Sequence, residues 1–395
     1  MSTTSTTTPQ FLVPDYFPAF RCKMGACRHT CCEDWPICIS MSDYFKLLGD
    51  PCSADLRRRI DTALHILDHP TPQRYAQITP RYDGNCAMRL PDGRCGLHAE
   101  LGEDALSNVC RLYPRGIRHD DQPEASCANS CEAVLESFLD RLAPLDFIRI
   151  PVDTQHVPPA PPRTIFFETA GREQDIRLHL IRILQNRELS LPLRLLSLGD
   201  ELRRLKRILA VKDTEALARL LDSPLPATPQ TDSPPLSDSL LVDALHIAER
   251  MVAEIAHHAP RLADYGNQAL DWFTDHGQPL EQYRIARQHF ETLIPNWQNF
   301  LEHALINHAF FERFPFQDRP LDIDDEQLGL CAVYALLRFL GLGCLSTSDS
   351  PLRYIDLCAA AFRHIDHTAF DLYGAHLLKS LGCQNLPTLF KLIRL

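Results

Sequence analysis

The chain has 395 residues, of which 45% are hydrophobic and 23% charged, an ordinary globular balance that excludes a disordered or fibrous chain. With 51 acidic against 40 basic residues the net charge is −11, which argues against a generic nucleic-acid binder. At roughly 100–200 residues per domain, the length suits two or three domains.

Residues 1–19 open on a Ser/Thr run with neither a basic start nor an apolar stretch. They are expected to form a flexible tail rather than a secretory signal. No stretch reaches the roughly 18 uncharged apolar residues of a spanning helix. The chain is therefore expected in the cytoplasm, without a membrane partner.

Residues 20–150 form a cysteine-rich, loop-rich region punctuated by Asp83-Gly84-Asn85 and Pro91-Asp92-Gly93. Its apolar periodicity is weak, so it is expected to depend on a metal for stability. Short helices fit after Ser42, at Asp55–Leu67, at Ala99–Leu112 and at Cys131–Leu142. Residues 151–163 hold five prolines and predict a linker.

Beyond the linker the pattern turns helical. In residues 164–222, Asp175–Arg187 places Ile176, Leu180, Ile183 and Leu184 at helical spacing. Leu193–Leu209 continues, and a cap at Asp213 or Thr214 starts a short helix ending near Leu221. Residues 223–239, rich in Pro, Ser, Thr and Asp, predict a mobile loop. In residues 240–395, helices fit Leu240–His258, Glu281–Leu293, Trp297–Arg313, Asp324–Leu340 and Tyr354–His364. No alternating strand pattern of any length is visible. The fold class expected is mainly α, a loop-rich cysteine and metal domain followed by an α-helical bundle.

Cysteine usage is the outlier. There are 15, and eleven lie between Cys22 and Cys131. The other four (Cys331, Cys344, Cys358 and Cys383) sit in apolar helical sequence and predict buried hydrophobes. In a reducing cytosol, clustered thiols point to metal or redox chemistry. Tetrathiolate zinc usually uses two C-x-x-C knuckles, and the sequence has none. The adjacent Cys31-Cys32 pair is awkward for one tetrahedral ion, whereas an iron–sulfur cluster tolerates irregular spacing. Cys27-x3-Cys31 begins the loop of radical S-adenosylmethionine enzymes, but Asp34 stands where its third cysteine would be.

The run Cys27-x3-Cys31-Cys32, Asn85-Cys86, Asp92-Gly93-Arg94-Cys95 and Leu106-Ser107-x2-Cys110-Arg-x-Tyr-Pro-Arg resembles the CxxCxxCC family of zinc- or iron-chelating domains. Within it, the flagellin lysine-N-methylase group is most similar. Phe20-x-Cys22, Trp35, Ser130-Cys131-Glu132, and the stretch from Leu305-Ile306-Asn307 to Phe314-Pro315-Phe316 all resemble that group. One departure is Cys131-Glu132, where the family usually has Cys-Pro-Glu.

The resemblance implies a cytoplasmic protein-lysine N-methyltransferase acting on flagellin. It implies S-adenosylmethionine as methyl donor and a [4Fe-4S] cluster, with zinc as the alternative metal. The implied metal ligands are Cys22, Cys27, Cys31, Cys32, Cys86, Cys95, Cys110 and Cys131. Cys38, Cys52 and Cys127 fall outside the motif. A non-catalytic zinc- or iron-binding scaffold is the alternative function.

Several other features have plainer readings. The glycine-rich turn of an α/β methyltransferase is missing, and Gly341-Leu-Gly343 is expected to end a helix. Arg203-Arg204-Leu-Lys206-Arg207 is expected to be a solvated face paired with Asp200 and Glu201. His29 and His98 are expected at the surface, and His303 and His308 in packing roles. Arg111 and Arg115 flank Cys110, where they would offset cluster charge or form surface ion pairs.

Overall fold

The computed structural model describes residues 9–33, 37–158, 163, 167–225, 237–275, 278–317 and 321–394. Trp35, the first eight residues, and parts of the linker and of the 223–239 loop lie outside them. The chain divides into two compact units. The first is drawn from residues 1–133 and 147–160, the second from residues 134–146 and 161–395.

The first unit contains two small sheets that the sequence pattern did not announce. One has the order β5-β6-β1-β7, built from β1 (Gln10–Pro14), β5 (Arg115–Arg118), β6 (Glu124–Cys127) and β7 (Phe147–Pro151). The other has the order β2-β4-β3, built from β2 (Ile37–Ile39), β3 (Leu64–Ile66) and β4 (Ala76–Ile78).

Strand β1 corrects the expectation of a flexible tail through residue 19. It pairs antiparallel with β7 from Gln10↔Pro151 to Pro14↔Phe147, and parallel with β6 at Leu12↔Glu124. Phe11, Leu12 and Val13 are all buried. A strand covered on both faces is a continuous apolar run, so the alternation that marks a half-buried strand is missing.

The β2-β4-β3 sheet has its own apolar core. Ile37, Ile39, Ala76 and Ile78 pack with Leu47, Leu56, Ile60, Met88 and Leu97. These side chains come from the sheet, from helices α1 (Met41–Gly49), α2 (Ala54–Ala63) and α3 (Gly96–Leu101), and from the loop before α3. Cys52, Cys86 and Cys95 pack at the edge of this core.

Two expected helices are shorter than their sequence patterns. Asp55–Leu67 ends at Ala63, where the chain passes straight into β3. Ala99–Leu112 is broken at Gly102, whose φ of +84° stops α3 before α4 (Asn108–Leu112) begins. Helix α5 (Glu132–Leu139) closes the cysteine region.

The second unit is helical, as expected. Its elements are α6 (Glu173–Leu184), α7 (Leu191–Ala210), α8 (Thr214–Asp222), α9 (Asp238–Ala256), α10 (Pro260–Asp275), α11 (Pro279–Leu293), α12 (Trp297–Phe311), α13 (Ile323–Leu345), α14 (Leu352–Ile365), α15 (Phe370–Ser380) and α16 (Leu386–Ile393). Helix α13 is the axis, packed by α7, α10, α11, α14 and α15. By length and composition it would pass for a membrane span, but its whole apolar window is buried within the unit. A helix that is apolar all round has no polar face to show, which is why it needs neighbours on every side.

Buried charges in this unit are paired. Glu302 accepts bonds from Arg187 at 2.8 and 2.9 Å and from Arg194 at 2.5 Å. His308 lies between Asp366 at 3.0 Å and Asp371 at 3.2 Å. Burial disfavours its charge, but the two carboxylates outweigh that and hold its pKa well above the ordinary value. Arg338 stacks on Trp297, 3.9 Å from the ring centroid, and lies 3.6 Å from Glu291.

The Gly341-Leu-Gly343 segment lies inside α13 rather than beyond its end. Its glycines let other helices approach closely. A Cβ on Gly341 would come within 2.7 Å of the Phe290 and Tyr354 rings. A Cβ on Gly343 would lie 2.4 Å from Ala269 Cβ and 2.5 Å from its Cα. Gly343→Ala is therefore expected to lower unfolding free energy by about 1–3 kcal/mol, because backbone must shift. Gly49→Ala, with nothing within 4 Å of the added carbon, is expected to be neutral or stabilising. Urea denaturation of both variants checks this, and equal stability would contradict the close crossing.

Candidate metal centre

The cysteines of the first unit are brought together by turns rather than by regular elements. The Cys86 amide donates to the Cys32 carbonyl at 2.7 Å, and flanking bridges join Glu33 to Asn85 and Arg89 to Cys95. Arg89 braces this corner through an ion pair with Glu33 at 2.6 Å. Cys110 sits on the first turn of α4, whose N-cap Ser107 accepts the Cys110 amide at 3.5 Å.

Cys32, Cys86, Cys95 and Cys110 form one set. Charge on Cys32, Cys86 or Cys95 would raise the Cys110 thiol, charge on Cys32 or Cys95 would raise Cys86, and charge on Cys32 would raise Cys95. Burial, the largest cause, pushes the Cys86 thiol to about 11 and crowding around the Cys110 sulfur pushes it to about 12. Cys95 is also raised by burial. Cys31 donates to Cys32, which raises the Cys31 thiol and lowers that of Cys32.

Cys22, Cys27 and Cys131 form a second set. Burial followed by the charges of Glu132, Cys131 and Cys22 pushes Cys27 to about 12. Cys31 lies between the two sets, within electrostatic reach of both Cys22 and Cys110.

Several sulfurs receive hydrogen bonds of the kind that stabilise a thiolate. The Met24 amide donates to Cys22 Sγ at 3.3 Å. Cys86 is bonded by the Met88 amide, and Cys95 by the amides of Leu97 and His98. Thr30 and Ser107 play the same part, through their side chains, for Cys32 and Cys110. Amides two residues beyond a cysteine, aimed back at its sulfur, are a turn geometry suited to a metal-bound thiolate.

Glu132 enters the sequence analysis only as part of the Ser130-Cys131-Glu132 motif, with no role of its own, and proves central. Its buried carboxylate accepts the amides of Arg28 at 3.1 Å and His29 at 2.8 Å, and pairs with Lys23 at 2.6 Å. Burial opposes its charge, but Lys23 and the two amides outweigh it and hold the carboxyl below its usual range. This ties the loop carrying Cys27 to the start of α5, beside Cys131. The available signal was a carboxylate at the first position of an apolar helix, immediately after a motif cysteine.

The remaining residues have other roles. Cys38 lies in β2, its sulfur 3.8 Å from Arg74, and Cys52 packs against the apolar core. Cys127 is buried, and its amide donates to the Tyr16 hydroxyl at 3.1 Å. Arg111 is spent on the carbonyls of Glu103, Asp104 and Leu106, and Arg115 stacks over Phe20 at 5.0 Å. The basic run of α7 is paired: Arg203 with Asp200, Arg204 with Glu201, and Lys206 with Asp322 and Asp324.

Among the described residues, no three His, Cys, Asp or Glu side chains already stand around one point at the spacing of a bound ion. A metal would have to draw the thiols inward as they lose their protons. The donor set fits such a group. It is all sulfur, partly solvent-accessible, and supplied with amides that favour thiolate.

The family described as FliB lysine N-methylase C-terminal domain matches residues 177–392, more than half of the chain. No curated protein and no solved structure matches it.

If Glu132 holds the Cys27 loop, Glu132→Gln is expected to speed amide exchange at Arg28 and His29. The expected stability cost is about 1–3 kcal/mol, the worth of charge-assisted bonds to a buried acceptor. Hydrogen exchange measured residue by residue checks this. Unchanged protection at both amides would show that the loop stands without the carboxylate.

Proposed function

The chain belongs to the FliB lysine N-methylase family, and on that premise we propose that it is a protein-lysine N-methyltransferase acting on flagellin. The observation that carries this reading is the family match across α6 to α16, joined to the separate cysteine unit that precedes it. We also propose S-adenosylmethionine as methyl donor, a [4Fe-4S] cluster held by cysteines of the first unit, and a cytoplasmic location.

In such a transfer the lysine Nζ lone pair forms a bond to the sulfonium methyl carbon. The sulfur–methyl bond breaks, S-adenosylhomocysteine leaves, and one proton passes from the new ammonium to solvent or a base. The amine must first be neutral, so the lysine has to lose its proton or enter a desolvating pocket.

Cys32, Cys86, Cys95 and Cys110 are the residues that would hold the cluster, since Cys110 lies within electrostatic reach of the other three and Cys32 of both Cys86 and Cys95. A bound cluster would supply redox-active iron whose potential is tuned by the hydrogen bonds to its sulfurs and by its exposure. The chain's own part is to gather these sulfurs and to aim amides at those of Cys86 and Cys95. The net charge of −11 would also favour approach of a lysine-bearing surface.

The test is mass spectrometry of flagellin from cells with and without this gene. Lysines are expected to carry added methyl groups only when the gene is present. Methylation that persists in the deletion strain would remove the assignment.

A further inference from the structure

The basic run of α7 holds one residue that internal pairing does not use, and it lines a cavity. The cavity, about 510 Å³ and open to solvent, lies between α7 and the first turn of α13. Its lining is Asp200, Arg203, Arg204, Lys206, Arg207 and Asp324. Small-molecule sites run from roughly 300 to 1,000 Å³, so the space suits a ligand of amino-acid or nucleoside size.

Helical spacing builds one wall. Asp200, Arg203, Arg204 and Arg207 stand at i, i+3, i+4 and i+7, a single stripe along α7. The stripe of Leu198, Leu202 and Leu205 is buried, so the charged stripe turns outward. Helix α13 supplies the other wall through Asp324.

Most of these charges already have partners. Arg203 pairs with Asp200 at 2.5 Å, and Arg204 with the buried Glu201 at 2.8 Å. His179 holds Glu201 from behind at 2.7 Å. Lys206 bridges Asp322 at 2.8 Å and Asp324 at 2.7 Å. Two groups are left over. Arg207 donates its Nε to the Arg203 carbonyl at 3.2 Å, and among the described residues no carboxylate meets its guanidinium. Asp324 accepts Lys206 through Oδ2, while its Oδ1 is buried with no donor. An open guanidinium fork suits a carboxylate. A buried acceptor without a donor costs stability until an N–H reaches it.

The charge balance decides between ligand classes. The four cations Arg203, Arg204, Lys206 and Arg207 stand among the four carboxylates of Asp200, Glu201, Asp322 and Asp324. A phosphate would meet as many carboxylates as cations, whereas a zwitterion meets one unused group of each sign. We propose that this cavity binds an α-amino acid group, its carboxylate on Arg207 and its ammonium on Asp324 Oδ1. Under the proposed function, on which this second step rests, that group is the methionyl end of the methyl donor.

The experiment is isothermal titration calorimetry of the full chain, purified anaerobically. The probes are S-adenosylhomocysteine, L-methionine, and 5′-methylthioadenosine, which lacks the amino-acid group. Arg207→Ala and Asp324→Asn are each expected to weaken S-adenosylhomocysteine about tenfold, the worth of one charge-assisted bond, and to leave 5′-methylthioadenosine unchanged. Arg219→Ala, at an exposed pair with Glu215 on α8, is expected to change neither. Arg207 is an exposed helix residue and alanine a strong helix former, so this variant keeps the fold and reports on the site even if Asp324→Asn does not.

Parental affinity for S-adenosylhomocysteine in a folded Arg207→Ala protein would overturn the site and leave the donor reading standing. L-methionine bound by the parent and lost in Arg207→Ala, without S-adenosylhomocysteine binding, would keep the site and discard that donor. A parent that binds neither would overturn the site.

Discussion

A thiolate raises the cost of charge on the thiols beside it, so next to Cys32, whose thiol the Cys31 hydrogen bond lowers, Cys86, Cys95 and Cys110 hold their protons until a cation compensates. That constraint shapes the first unit. Burial and mutual repulsion hold Cys86 near 11 and Cys110 near 12. The amides of Met88, Leu97 and His98 offset part of that cost at Cys86 and Cys95. The apolar core of the β2-β4-β3 sheet supplies a rigid floor, because Cys86 and Cys95 pack against its edge. The unit therefore has folding energy of its own beside any metal, more than a loop-rich sequence suggested.

The second unit solves a different problem. Its central helix α13 is apolar on every face and must be covered on every face. Glycines at 341 and 343 bring neighbouring helices close, and several buried charges are paired in place. Glu302 with two arginines and His308 with two aspartates are such pairs. Buried ion pairs of this kind are expensive to break, because removing one partner leaves the other charge buried alone. The family match runs across this unit, so membership rests on the helices and the chemistry of sulfur on the other unit.

The helices were largely legible in the sequence. Asp175–Arg187 and Glu281–Leu293 show 3.6-residue periodicity because each buries one face. Helix α10 was not foreseen, although it packs on α13 and buries Ala269 and Phe273. The strands were illegible for a physical reason: β1 is covered on both faces, and β2, β3 and β4 have three residues each. The cysteine positions were legible from density alone. Their division into sets was not, since it depends on which loops Glu132 and the Cys32–Cys86 bond draw together. Glu132 stood in the sequence only as part of a motif, and its bonds to the Arg28 and His29 amides show the loop it holds.

The central claim is that Cys32, Cys86, Cys95 and Cys110 together hold an iron–sulfur cluster. Mössbauer spectroscopy of the full chain, enriched in iron-57 and purified anaerobically, tests it most directly. The account predicts a cluster signal in the parent and in the Cys38→Ser, Cys52→Ser double variant, with the signal lost in Cys95→Ser. A parent without that signal, or a Cys95→Ser protein that keeps it in full, would contradict the assignment.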